Sequence, residues 1–242
     1  MSSINEIWEL IGLRYKSHPW HGISIGEQSP DVVNCFIEVI PGDTVKYELD
    51  KITGYLKVDR PQKFSSLVPA LYGFIPQTYC DKLVAYQCVK KTGIKDIVGD
   101  KDPLDVLVLT ERQINHGNII VQAKPIGGFR MIDGGEADDK IIAILKQDEV
   151  YNNWNDVTDL PEALLRRLEH YFLTYKDMPG SEKSRCEITD IYGRDEAFEV
   201  INLSREDYIE KFGKIETRLS VAAFEAFGIG QSISNRNKKS NI

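Results

Sequence analysis

The run Asp100-Lys101-Asp102-Pro103-Leu104-Asp105 sets three carboxylates within six residues. Directly behind it, Val106-Leu107-Val108-Leu109 is apolar and rich in branched side chains, the pattern of a buried strand. Carboxylates crowded at a strand mouth repel one another unless cations sit among them. Oxygen donors with no neighbouring Cys or His suit a hard ion, Mg²⁺ or Mn²⁺, better than zinc. Read alone, the hexapeptide fits a solvated acidic turn equally well.

Other residues that could do chemistry fall at strand ends. Lys46 and Glu48 are two apart on a strand and share a face. Arg60 closes the next strand, and Tyr72 sits in a Tyr-Gly-Phe turn. Asp133 and Asp138 bracket a Gly-Gly loop, with Lys140 on the same strand face as Asp138, and Tyr175 and Lys176 close a long helix. Singly, each has a plain explanation. Lys46 with Glu48 reads as a surface ion pair worth under about 1 kcal/mol. Asp133 before two glycines reads as a turn, and Tyr175 as core. Together they supply acids in excess for two or more metals, four cations for an anion, and two tyrosine hydroxyls as neutral donors. That is the equipment for phosphoryl transfer to water. The chain has no Walker loop, nucleophile elbow or dinucleotide fingerprint, so nothing indicates a covalent Ser or Cys mechanism.

The bulk composition narrows the class. With 242 residues, 42% of them hydrophobic, the chain suffices for one sizeable core. A net charge of −7 argues against nucleic acid as a partner. No run of about 18 apolar residues suggests a membrane span, and residues 1–20 lack a secretory pattern. Cys35, Cys80, Cys88 and Cys186 show no paired spacing and read as reduced thiols of a cytosolic protein.

Periodicity places the elements that carry these residues. Strands are expected at 34–40, with Glu38 a lone acid inside, and at 44–49 and 54–58, the last ended by Pro61. A loop over 65–75 feeds a short strand, and 83–89 reads as an added hairpin arm. Further strands are expected at 118–124, 128–132, 141–145 and 187–192. A short helix is expected at 4–13. A long one, capped by Asp159, puts Leu164, Leu165, Leu168, Tyr171, Phe172 and Tyr175 on one face. Helices follow at 195–201, 204–212 and 214–227, with Ser204 and Asp207 resembling a cap between the first two. Strands first and helices after predict an α+β chain with a small barrel. The organisation read from this is a lead-in over 1–33, a barrel domain over 34–192, a helical C-terminal extension of the same domain over 193–231, and a disordered tail over 232–242.

Residues 100–106 fit an Asp-x-Asp-Pro-apolar-Asp-apolar run, and the chain resembles the family I soluble inorganic pyrophosphatases from about residue 34 to 178. Glu38, the Lys46-Tyr47-Glu48 triplet, Val58-Asp59-Arg60, Tyr72-Gly73-Phe74-Ile75, the Asp133 to Lys140 loop and the Tyr175-Lys176 helix end follow in the family's order. The resemblance implies a mainly β core, a five-stranded OB-like barrel with flanking helices. It implies hydrolysis of pyrophosphate to two orthophosphates by a Mg²⁺-activated water, with Mn²⁺ as a substitute and no covalent enzyme intermediate. It makes Asp100, Asp105, Asp133 and Asp138 metal ligands, and Asp102 the base or the residue that orients the water. Lys46, Arg60, Tyr72, Lys140, Tyr175 and Lys176 become ligands of the phosphates, and Glu38 and Glu48 supporting acids. A cytoplasmic homo-oligomer is implied, with no nucleic-acid or membrane partner. Lys101 departs from the pattern, standing where the family has a small or neutral residue, and would be strained if the backbone there needs positive φ.

Overall fold

Five strands pair into a ring. In the computed structural model, which describes residues 15–63, 65–177, 185–214 and 221, these are β1 (Val33–Val39), β4 (Leu71–Phe74), β6 (Asp105–Leu109), β7 (Ile119–Asp133) and β9 (Lys140–Leu145). β1 pairs with β4, β4 with β6, β6 with β9 and β9 with β7, and a β1–β7 pairing closes the circle. Only β6 and β9 run parallel within this ring. The result is a Greek-key barrel of the OB type, in which none of the five strands has a free edge.

The remaining elements attach to this ring. β2 (Val45–Leu49) and β3 (Leu56–Pro61) form a separate antiparallel ribbon. β5 (Val98–Gly99) pairs in parallel with β8 (Glu136–Ala137), and β10 (Cys186–Gly193) lies antiparallel to the far half of β7. Three helices are described: α1 (Lys82–Thr92), α2 (Glu162–Thr174) and α3 (Arg194–Phe212). Among the described residues no helix is long and apolar enough to cross a membrane. The chain divides into two units, Met1–Asp207 and Tyr208–Ile242. The expected helix at 4–13, nearly all of that at 214–227, and the tail at 232–242 lie outside the described residues.

The unbroken apolar runs of β6 and β9 follow from burial on both faces. Val106, Val108, Ile141 and Ala143 join one core cluster, with Cys35 and Ile37 of β1 and Val84 and Cys88 of α1. Their alternates Leu107, Leu109, Ile142 and Ile144 join a second, with Leu168, Tyr171 and Phe172 of α2. A strand whose neighbours alternate sides must be apolar throughout when both sides are covered. Phe172, fully buried, sits 6.0 Å from Tyr72 and 6.1 Å from Phe129 between ring centroids. Burial of one such ring stabilises by about 1.5–3 kcal/mol, and here it also fixes the helix end that carries Tyr175 and Lys176. All four cysteines are free and buried.

Several local expectations are corrected. Residues 83–89 are helical. α1 buries Val84, Ala85 and Cys88, carries Lys90 and Lys91 in its last turn, and ends at Gly93 with φ 72°. Its first turn is capped from a distance. Asp207 accepts N–H bonds from Asp81 at 3.1 Å, Leu83 at 3.0 Å and Val84 at 3.3 Å. So Asp207 caps a helix other than its own, and α3 runs through Ser204 without a break, the Ser204 hydroxyl donating to the Ile201 carbonyl at 2.9 Å. Asp159 completes a capping box with Asp156 around a 3₁₀ turn, and α2 starts after Pro161. The two strands expected at 118–124 and 128–132 are one, β7, whose register against β9 shifts between Pro125 and Gly127. A bulge there absorbs the missing N–H of Pro125.

Gly73 of β4 marks a close strand crossing. A Cβ placed there would lie 1.9 Å from the Phe36 carbonyl oxygen and 2.9 Å from the Ile37 Cα, both backbone atoms. Gly73→Ala is therefore expected to cost about 3 kcal/mol or more in urea-induced unfolding, the upper end of overpacking penalties. A loss under about 1 kcal/mol would show that β1 and β4 separate freely.

Candidate active site

The topology brings distant polar residues to one rim of the barrel. β6 and β9 are parallel and both begin there, in a register that sets Asp105 opposite Lys140. β7 is antiparallel to β9 and ends there, at Asp133. The parallel β5–β8 pair sets Gly99 opposite Ala137, so the next residues, Asp100 and Asp138, emerge side by side. The rim opens into a small cleft of about 180 Å³. Twelve of the thirteen residues singled out from the sequence line it. The thirteenth, Arg60, is not on the lining; its guanidinium lies over the Tyr175 ring, 5.7 Å from the centroid.

Lys140 is the centre of the acidic group. It is 1% exposed, and its ammonium donates to Asp105 Oδ2 at 2.5 Å and to Asp138 Oδ1. The Tyr72 hydroxyl donates to the same Asp105 oxygen at 2.5 Å. Asp100 lies beside Asp138 and feels the charge of Lys140. Asp133 stands apart from this trio. Its oxygens are held by Lys176 and by Arg185 Nε, the latter at 2.7 Å. Glu38, buried in β1, accepts the Leu49 N–H at 2.7 Å and ties the ribbon to the barrel. Lys46 is opposite Arg60 in the ribbon and pairs with Asp59 at 3.0 Å, not with Glu48 as the spacing suggested.

The loop that carries the acidic run is held by its backbone. Asp102 N–H donates to Asp100 Oδ1 at 2.9 Å, and Cys80 N–H donates to the Asp102 carbonyl at 2.9 Å. Lys101 adopts φ 64° and donates its N–H to the Cys80 carbonyl at 2.9 Å. The departure from a small residue at this position therefore does fall on a left-handed backbone, where a side chain costs roughly 1–2 kcal/mol. The Asp102 side chain, 39% exposed, meets the Lys51 ammonium. Lys51 and Glu136 line the cleft, and Arg185 reaches Asp133, yet none was singled out from the sequence. Lys51 reads as a turn residue, and Arg185 has no spacing that links it to Asp133. Glu136 alone carried a signal, its place between Asp133 and Asp138.

The electrostatics favour an added cation. Eight carboxylates and four lysines line the cleft, a formal excess of four negative charges. Burial, with Asp138 adding to it, pushes the Asp100 carboxyl up to about 10. Burial also raises Asp138 against the pull of Lys140, and together with Asp105 it pushes Glu38 up to about 8. Acids so placed ionise readily only when a cation joins them. Among the described residues no three His, Cys or acidic side chains form a ready-made metal cage. An all-oxygen donor set of paired carboxylates still fits magnesium, which keeps several waters and is held by one or two carboxylates plus substrate phosphates. Zinc, which favours Cys and His, does not fit.

Comparison with known proteins agrees with this picture. A family profile described as inorganic pyrophosphatase matches residues 35–209. The inorganic pyrophosphatase of Chlamydia caviae is 49% identical over 206 residues, 84% of this chain and 95% of that protein. Soluble inorganic pyrophosphatase 4 of Arabidopsis thaliana is 36% identical over 194 residues, 80% of each chain. The crystal structure of inorganic pyrophosphatase from Thermus thermophilus superposes with a TM-score of 0.66 at 28% identity, covering 79% of this chain and 98% of that one. Barrel, cleft and relatives together define a phosphoric anhydride hydrolase. The chain belongs to the inorganic pyrophosphatase family, in its soluble, family I branch.

Proposed function

We propose that the cleft hydrolyses inorganic pyrophosphate to two orthophosphates with Mg²⁺, Mn²⁺ substituting, and without a covalent intermediate. The observation that carries this reading is the gathering, in one cleft, of acids and lysines spread from Glu38 to Lys176. Asp100, Asp105, Asp133 and Asp138 would hold the metal, with Glu38 and Glu48 as supporting acids. When bound, the ion supplies an activated water and charge to offset the phosphates. The protein's residues do the rest. Lys46, Arg60, Lys140 and Lys176 bind phosphate oxygens, and the Tyr72 and Tyr175 hydroxyls donate to them. Among the described residues, Arg60 Nη1 and Nη2 are buried without a hydrogen-bond partner, as donors for an anion would be. Asp102 orients the attacking water and accepts its proton at an oxygen now facing Lys51. Oxygen joins one phosphorus as its bond to the bridging oxygen breaks, and the second phosphate leaves stabilised by the lysines. The setting assigned with this reading is a cytoplasmic homo-oligomer.

The test is phosphate release from pyrophosphate with Mg²⁺, with Mn²⁺ and with chelator. Rapid release with Mg²⁺, some with Mn²⁺ and essentially none in chelator is expected. Pyrophosphate binding without release under all three conditions would refute it and leave a non-catalytic binder.

A further inference from the structure

A buried ion pair lies against the acidic segment on its other face. Arg130 of β7 is 0% exposed and Asp139 is 3% exposed. Arg130 Nη2 lies 3.4 Å from Asp139 Oδ2 and 2.8 Å from Glu196 Oε1, and its guanidinium sits 5.1 Å from the Tyr192 ring centroid. The Tyr192 hydroxyl donates to Asp139 Oδ2 at 3.0 Å. None of these residues lines the cleft, whereas Asp138 and Lys140, on either side of Asp139, both do.

We infer that Arg130, Asp139 and Tyr192 are positioning residues that set Asp138 and Lys140 in the cleft. In extended backbone, neighbouring side chains point to opposite sides. Fixing Asp139 from behind therefore fixes the stretch from which its two neighbours project. The anchorage continues through the backbone. Asp138 N–H donates to the Met131 carbonyl at 2.9 Å, next to Arg130, and Lys140 is paired with Phe129 on the other side of it. Tyr192 can lie across β7 because position 128 is glycine; a Cβ there would fall 2.6 Å from the ring. Net stability does not account for the arrangement, since a buried ion pair is seldom better than apolar residues of the same volume. Partners behind a metal ligand, by contrast, commonly govern its affinity by 10- to 100-fold.

The inference rests on the proposed magnesium-dependent reading, and the test separates the two. Mg²⁺ binding is measured by calorimetry on the full chain without pyrophosphate, beside the thermal midpoint. Tyr192→Phe keeps the ring over Gly128 and the guanidinium and loses only the bond to Asp139. It is expected to weaken Mg²⁺ binding by about tenfold or more, and Asp139→Asn by at least as much. Lys91→Met, which removes the solvent-side partner of Glu196, is expected to leave Mg²⁺ binding unchanged. Mg²⁺ affinity within about twofold of the parent in Tyr192→Phe, whatever the thermal midpoint does, overturns the inference. That variant decides the matter if Asp139→Asn fails to fold. A parent chain that binds no Mg²⁺ overturns the functional reading itself, and the inference with it.

Discussion

Asp102→Asn is expected to lower phosphate release by about 10²–10⁴-fold at saturating Mg²⁺, the usual contribution of a general base. The substitution keeps size and shape and removes the negative charge and with it the capacity to take a proton. The surroundings make the result interpretable. The loop is held by main-chain bonds from Cys80 and by the Asp100 carboxylate, none of which needs the Asp102 side chain. Its ionic partner among the described residues, Lys51, is 46% exposed, and such a surface pair is worth under about 1 kcal/mol. The thermal midpoint should therefore barely move while turnover collapses. Turnover within about tenfold of the parent would remove Asp102 from the proton-transfer role.

Lys140→Met should act on stability and turnover together. The ammonium is almost wholly buried and bonded to both Asp105 and Asp138. Removing it strands those carboxylates and Asp100 beside them, and breaking a buried pair costs about 3–5 kcal/mol. The donor proposed to bind phosphate is lost as well, for an expected further drop of about 10²–10³-fold in turnover. The distinguishing feature is the response to magnesium. The variant should recover part of its stability when Mg²⁺ is added, more than the parent gains, because its acids lack any other cation. Urea unfolding with Mg²⁺ and with chelator measures this. An equal deficit under both conditions would mean that Lys140 is structural ballast and that the acids do not gather a metal.

The barrel was legible because β6 and β9 carry apolar side chains at consecutive positions, which only a strand buried on both faces tolerates. The cleft was legible because its acids and lysines stand at strand ends, where a barrel mouth collects them. Arg60 shows the limit, since its position at a strand end does not reveal that its guanidinium lies over the Tyr175 ring rather than on the cleft lining. α1 was misread because its valines and tyrosine favour strands, while its cap, Asp207, lies 126 residues away from Asp81. The break expected inside β7 failed because Pro125 falls at a bulge, which periodicity cannot reveal. Lys51 and Arg185 had no sequence signal, as a turn and a strand start acquire meaning only beside the carboxylates they meet.

The remote cap on α1 has a consequence for shortening this enzyme. Asp207 and the Ser204 carbonyl, both on α3, grip residues 79–84, and Cys80 within that stretch grips Lys101 and Asp102. α1 and the stretch of α3 up to Asp207 thus behave as one clasp around the acidic turn. Trimming the chain ahead of residue 204 would leave α1 uncapped and slacken the turn from behind, so a minimal version must keep both pieces.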